Sequence, residues 1–299
     1  MTSASCSREF YRGRFTDPVL LGAHMSIAGG VSLAIQRAGR TGCTALQIFV
    51  KNNVQWNARK LLDSEIEDFQ SARKKHQVRH IVAHSSYLIN LASPDDDLWA
   101  RSIRSLIEEL ICCERLGLTY LVIHPGSHMG KGEKYGIHRI SQAIDRIHSK
   151  IGNLRVHLAL ETTAGQGTSV GYHFEHLRDI AGYCKDPDKV FVCLDTCHIF
   201  AAGYDIRDKE VYLETMQKFQ DVIGIDRLKV FHVNDSKKKL GSRVDRHHHI
   251  GKGMIGLPAF SFIMNDLRFF NVPKILETPK TETLWHDRRN LNLLRSLVH

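Results

Sequence analysis

Short β-rich runs return along this chain at intervals of about 25–45 residues, with helical patterns between them, and that alternation restricts the fold more than any other feature. The runs are Val19–Ala23, Ala45–Val50, His80–Ala83, Tyr120–Ile123, Val156–Leu160, Val190–Leu194, Lys229–Val233 and Lys274–Leu276. Several are almost continuously apolar, as strands of a parallel sheet buried on both faces must be. Between them, Ile103, Leu106, Ile107 and Leu110 form the i, i+3, i+4, i+7 stripe of a core-facing helix. Ser93-Pro94 reads as its cap and first turn, and Gly117 sits where a helix end wants positive φ. Val31, Ala34, Ile35 and Ala38 repeat the stripe, with Gly42 beyond. Eight strands alternating with helices predict an α/β fold, a (β/α)₈ TIM barrel over residues 19–299. The runner-up, an open doubly wound sheet, lacks a GxGxxG after the first strand and a Walker loop.

Residues 1–18 read as a basic, surface-packed or disordered extension, since Glu9 and Asp17 argue against a targeting segment and no apolar stretch resembles a secretory signal. No run approaches membrane-spanning length. The odd cysteine number, seven, and the absence of a CxxC pair fit a reducing intracellular compartment. A formal charge of +9 points to a polyanionic partner, because each Lys or Arg set on a phosphate releases condensed counterions.

Chemistry collects where the apolar runs stop. The third run delivers His84, the fourth His124, the fifth Glu161, and the sixth Asp195 and His198. The seventh delivers His232, the loop after it Asp245 and His247, and the eighth Glu277. In a barrel all of these lie at the C-terminal mouth, where active sites are built. A lone His at a strand end is ordinarily a hydrogen-bonded structural residue. So many ionisable groups gathered at one mouth would repel and desolvate one another without cations. Nitrogen and oxygen ligands without thiolates suit catalytic Zn²⁺, with Mn²⁺ as the harder alternative at one or more sites. Cys193 shares a strand face with Asp195, and both Cys193 and Cys197 read as packing residues. His248 and His249 read as solvent-facing or DNA-facing. Lys237-Lys238-Lys239 lies near Arg243, Arg246 and Lys252, a placement suited to phosphates.

These segments together closely resemble the endonuclease IV family of apurinic/apyrimidinic endonucleases. The likeness spans roughly residues 20–298 and rests on Gly22-Ala23-His24, Lys51-Asn52 with Trp56, His84 through Leu91, and His124 through His128. It continues in Glu161–Gly167, Leu194–Asp205, His232–Lys237, Ser242–His248, Gly251–Gly256 and Leu276-Glu277-Thr278. The resemblance implies a barrel with three zinc ions. His84, His124 and Glu161 would hold one. Glu161, Asp195, His232 and Glu277 would hold a second, with Glu161 bridging, and His198, Asp245 and His247 the third. Glu161 and Glu277 would be catalytic. The resemblance further implies a monomer that hydrolyses the phosphodiester 5′ to an abasic site in double-stranded DNA and trims blocked 3′ ends. Tyr87 and Leu88 match an element that wedges into the base stack, and Lys51 and Arg246 are candidate DNA contacts. Similar bacterial members carry Arg where this chain has Val54, which cannot bind phosphate; Ser85 and Thr162 also replace common family residues. Two rivals are a sugar isomerase or epimerase, for which the Asp245/His247 pair has no evident role, and a DNA-binding scaffold with structural zinc, which would favour Cys ligands.

Overall fold

The computed structural model describes residues 19–57, 59–281 and 283–299; the extension expected over residues 1–18 lies outside the described residues. Eight parallel strands close into a barrel: β1 (Leu21–His24), β2 (Ala45–Phe49), β3 (His80–His84), β4 (Tyr120–Ile123), β5 (His157–Glu161), β6 (Val190–Asp195), β7 (Leu228–His232) and β8 (Lys274–Leu276). Each pairs with its sequence neighbours, and β8 pairs with β1 to complete the cylinder. This is a (β/α)₈ TIM barrel. Helices α1 (Val31–Arg40), α2 (Asp63–His76), α3 (Asp96–Leu116), α4 (Glu133–Ile151), α5 (Phe174–Tyr183), α6 (Thr196–Ala202), α7 (Lys209–Val222), α8 (Leu257–Asn265) and α9 (Trp285–Ser296) occur between and after the strands. None is long and apolar enough to cross a membrane.

Helix α3 begins two residues later than the Ser93-Pro94 pair suggests. Asp95 is its cap, the carboxylate accepting the Leu98 N–H at 2.8 Å, while the Ser93 hydroxyl accepts the Asp95 N–H at 3.2 Å. Gly117 ends the helix at φ 66°, as expected.

The apolar residues sort into two layers. One fills the space between strands and helices, with Ile35, Leu46, Leu106 and Phe231 fully buried. The other is a plug inside the cylinder, made of Leu20, Ala45, Val82, Val122, Ala159, Cys193, Val230 and Ile275. Strand side chains alternate faces with a period of two. The next inward position after each plug residue on β2 to β8 is therefore Gln47, His84, His124, Glu161, Asp195, His232 or Glu277. One step along these seven strands converts a hydrocarbon floor into a polar layer. On β1 that step falls on Gly22, where a Cβ would stand 1.8 Å from the Ala45 carbonyl oxygen, and His24 follows two residues on.

Two short antiparallel ribbons fold the long loops over this mouth. Gly126–Ser127 pairs with Ser169–Val170, and Asp235–Ser236 pairs with His247–His248. The Asp235 carboxylate anchors the second ribbon by accepting the N–H groups of Gly253 at 2.9 Å and Ile255 at 3.0 Å.

Candidate metal centre

Glu161, the last residue of β5, is fully buried at the centre of the mouth. Its Oε2 lies 3.1 Å from Nε2 of both His84 and His124. Its Oε1 lies 2.9 Å from His232 Nδ1 and 3.2 Å from His198 Nδ1. One carboxylate thus turns an oxygen toward each of two groups of ligands. His84, Asp195 and His232 are likewise the final residues of their strands, so each of these candidate ligands enters the site from rigid backbone.

Asp195 has two local roles. It ends β6, and its Oδ1 caps α6 by accepting the His198 N–H at 2.9 Å. The first helical turn then carries His198 back over the mouth. Asp245 and His247 arrive from the loop after β7, shaped by its ribbon and by the Asp245 N–H, which donates to Gln166 Oε1 at 3.1 Å. Three sets of nitrogen and oxygen donors result, the first two sharing Glu161, with the candidate ligand atoms of each within 4.8 Å of one another: His84, His124 and Glu161; Glu161, Asp195, His232 and Glu277; and His198, Asp245 and His247. Two further groupings bring in thiols, Cys193 with Glu161 and His232, and Cys197 with Asp195 and His247. All nine residues expected from the sequence converge here.

The outer hydrogen bonds orient the imidazoles. His84 Nδ1 meets the Ser85 carbonyl at 2.8 Å and His247 Nδ1 the Glu277 carbonyl at 3.1 Å, leaving both Nε2 atoms directed into the site. His198 Nδ1 meets the Thr162 carbonyl at 2.7 Å, and its Nε2 lies 3.2 Å from Asp245. His232 is reversed: its Nε2 is held by Gln47 Oε1 at 2.7 Å, so Nδ1 faces Glu161. His247 Nε2 is buried and has no hydrogen-bond partner, although carboxylate oxygens of Asp245 and Asp195 stand 3.3 and 3.5 Å away. A buried, unpartnered ring nitrogen beside two carboxylates fits a divalent cation.

The charges reinforce that fit. Burial by itself would raise the Glu161 carboxyl, but His232 and His124 beside it, and hydrogen bonds from His124 and His198, hold it well below the usual range. Burial works against protonation of His198 and His232 and is overcome, chiefly by Asp195 around the first and by Cys193 and Glu277 around the second, so both are held well above an ordinary histidine. Asp245, opposed by burial but hydrogen-bonded by His198, is brought down to about 2. Burial pushes the Cys193 and Cys197 thiols up to about 12. That favours the neutral thiol, and Cys193 is part of the plug, so packing describes it better than ligation.

The sequence assigned no role to three supporting residues, although His24 and Asn234 lie within the matching stretches. Gln47 spans His232 and Glu277, donating to Glu277 Oε1 at 2.6 Å. Asn234 donates to Asp195 Oδ2 at 2.7 Å and accepts the Glu277 N–H at 2.8 Å. His24 lies 3.7 Å from Glu277. Gln47 was detectable: a lone amide inside an apolar strand, two positions past an inward-facing alanine.

Around the mouth, Tyr87 is 63% exposed and Val54 70%, while Leu88 is half-buried. The Tyr87 ring stands edge-on to Phe49, centroids 5.7 Å apart. Arg246 is exposed beside Asp245, as are Lys237, Lys238, Lys239 and Lys252. Lys51 is different. Its ammonium is buried, 3.0 Å from Glu109, and also donates to the Trp56 carbonyl at 2.6 Å and to the Ser105 hydroxyl. Its three protons are committed inside the protein, which corrects the expectation of a DNA contact. His249 is half-buried, stacked on His286 at 4.3 Å, with the Asn290 side-chain amide against its ring at 3.1 Å.

Residues 35–297 match the family model described as a xylose isomerase-like TIM barrel. The probable endonuclease 4 of Chloroflexus aggregans is 50% identical over 93% of this chain and 97% of its own length. The crystal structure of endonuclease IV from Thermus thermophilus superposes with a TM-score of 0.83 at 36% identity, covering 94% of this chain and 98% of that one. A D-tagatose 3-epimerase-like protein superposes with a TM-score of 0.69 at 16% identity over 92% and 96%, a likeness of fold alone.

Proposed function

Because this chain belongs to the endonuclease IV family, we propose that it is a metal-dependent endonuclease that hydrolyses the phosphodiester 5′ to an abasic site in double-stranded DNA. The products are a 3′-hydroxyl and a 5′-deoxyribose phosphate, and the same site trims blocked 3′ ends. The proposed complement is three zinc ions, with Mn²⁺ admissible at one or more positions. We further propose action as a monomer in a reducing intracellular compartment. The observation that carries the reading is the division of one buried carboxylate, Glu161, between two ligand sets, with a third set beside it.

When bound, the cations would lower the pKa of a nucleophilic water toward ~7 and offset negative charge developing on the non-bridging phosphate oxygens and on the leaving 3′ oxygen. The chain's own residues prepare that chemistry. Glu161 and Glu277 keep their negative charge in a buried setting, balanced by His232. Gln47, Asn234 and the backbone carbonyls of Ser85, Thr162 and Glu277 fix ligand orientation in advance, so little reorganisation is needed at reaction. Tyr87 and Leu88 fill the gap left by an extruded nucleotide and lower the cost of that state. Arg246 and the exposed lysines after β7 attract the phosphate backbone.

The test is incubation of purified protein with a duplex carrying one abasic-site analogue, before and after metal stripping. Metal-dependent nicking 5′ to the lesion is expected. A folded, fully metallated protein that leaves the duplex intact refutes the proposal and returns attention to a carbohydrate substrate.

A further inference from the structure

We infer that Lys51 and Glu109 form a buried brace that fixes the loop after β2 against the loop after β3, so that Lys51 governs lesion recognition by positioning rather than by contacting phosphate. The inference rests on the abasic-DNA reading above.

Glu109 projects from α3 and is fully buried. Its carboxylate accepts from Lys51 Nζ at 3.0 Å and from the backbone N–H of Ser86, 3.2 Å to Oε2. Lys51 opens the loop after β2 and binds its far side through the Trp56 carbonyl. The Ser105 hydroxyl, one turn before Glu109 on α3, donates to the same carbonyl at 3.0 Å. The Ser86 hydroxyl completes the circuit by donating to the Asn53 carbonyl at 2.7 Å, and it accepts the Leu88 N–H at 3.3 Å. The closed path therefore runs from Glu109 to Lys51, along its loop to Asn53, across to Ser86 and back to Glu109.

The side chains carried by this circuit are the apolar ones turned outward. Val54 follows Asn53, and Tyr87 follows Ser86. Both loops would meet the DNA stack, and neither braced segment is a regular strand or helix that holds its own shape.

The energetics favour a positional role. A buried ion pair contributes little net stability, and well-packed apolar residues of similar volume often do as well or better. An apolar pair cannot bond the Ser86 N–H or the Trp56 carbonyl. What the charged pair provides, and hydrocarbon does not, is the relative placement of the two loops.

The decisive experiment compares wild type with the double variant Lys51→Met/Glu109→Leu and with Ser86→Ala, which cuts the circuit with minimal change in volume. Each is titrated onto undamaged duplex and onto duplex with an abasic analogue opposite 2-aminopurine, at several salt concentrations. The double variant should stay folded with unchanged metal content, its thermal midpoint lowered by only a few degrees through the unbonded Ser86 N–H, and bind undamaged DNA with a log–log salt slope unchanged to within about 0.3. Its preference for abasic over undamaged duplex should fall about 10-fold or more, with a weaker rise in 2-aminopurine fluorescence, and Ser86→Ala should show the same defect in milder form. A salt slope smaller by about 0.9 would mean that Lys51 does contact a phosphate and would overturn the brace. Retained preference in both variants would also overturn it. Failure of the wild type itself to nick would instead remove the nuclease reading, and the brace with it.

Discussion

Replacing Glu161 with Gln preserves the shape of the central side chain and removes its charge, which separates chemistry from binding. The carboxylate is fully buried and has imidazole nitrogens at 2.9, 3.1, 3.1 and 3.2 Å, an arrangement that gathers positive charge on both of its oxygens. One unit charge facing another at about 3 Å is worth about 5 kcal/mol at an effective dielectric constant of about 20. If local relaxation returns about 1 kcal/mol, the remainder of about 4 kcal/mol corresponds to a rate loss of about 10³-fold. DNA affinity depends on the exposed basic residues and the loops around the mouth, none of which touches Glu161, so it should change by less than about 3-fold. The assay pairs single-turnover cleavage of an abasic-analogue duplex with anisotropy titration of an uncleavable abasic duplex. Equal losses in the two measurements would refute the reasoning, because the substitution would then be damaging the fold. Activity retained to within about 10-fold would refute it as well, by showing that the charge at this position is dispensable.

Other substitutions and conditions probe the surroundings of that carboxylate. Gln47→Leu frees His232 Nε2 and Glu277 from their shared amide; a loss of about 10–100-fold in metal affinity is expected, read by chelator competition, and unchanged affinity would deny Gln47 its orienting role. Without cations, His84, His198 and His232 are held above the ordinary value of 6.5, their burial outweighed by the carboxylates and, at His232, by Cys193. Their contribution to the metal-free protein is thus complete below 6.5 and disappears as pH rises through the raised folded values, whereas the contribution of Asp245 holds above 3.8 and disappears as pH falls through about 2. Cations bind the neutral rings, so loading near pH 7 should release protons, and denaturation midpoints between about pH 6 and 9 should fall for stripped protein and rise for loaded protein. Parallel curves would contradict this. Gly22→Ala places a methyl 1.8 Å from the Ala45 carbonyl and should cost more than about 3 kcal/mol at the β1–β2 seam, seen as a lower denaturant midpoint or insoluble protein; wild-type stability would show that the strands can separate locally.

Much of the frame was legible because hydrophobic alternation and strand burial are local properties. Tyr120–Ile123 and Lys274–Leu276 were read to the residue, and the other strands within a few residues. The candidate metal-binding positions at the strand ends could be recognised because a polar residue there obeys the same period of two as the plug beneath it. The relation among separate strands was not legible. Nothing in the neighbourhood of Gln47 reveals that its amide will meet His232 and Glu277, and nothing local to Lys51 reveals Glu109 on a helix beyond the next strand. The lysine looked like a phosphate ligand because it lies in a loop that the family resemblance sets toward DNA. Its direction was decided by a carboxylate 58 positions later. The two ribbons over the mouth were equally hidden, since a two-residue pairing leaves no periodic trace.

Closure of the barrel by β8 against β1 has a consequence for how the protein is made. Glu277 follows the last strand, 193 positions after His84, and the two candidate sets that share Glu161 together draw on the ends of six successive strands, β3 to β8. A nascent chain emerging from the ribosome holds His84, His124 and Glu161 long before it holds Glu277, but the plug on which they rest still lacks Ile275 and has an open seam. Assembly of the whole candidate centre is therefore deferred until the eighth strand has emerged and the ring has shut. A complete centre then requires a closed ring, and a product truncated before the eighth strand lacks Glu277 and the candidate set that it completes.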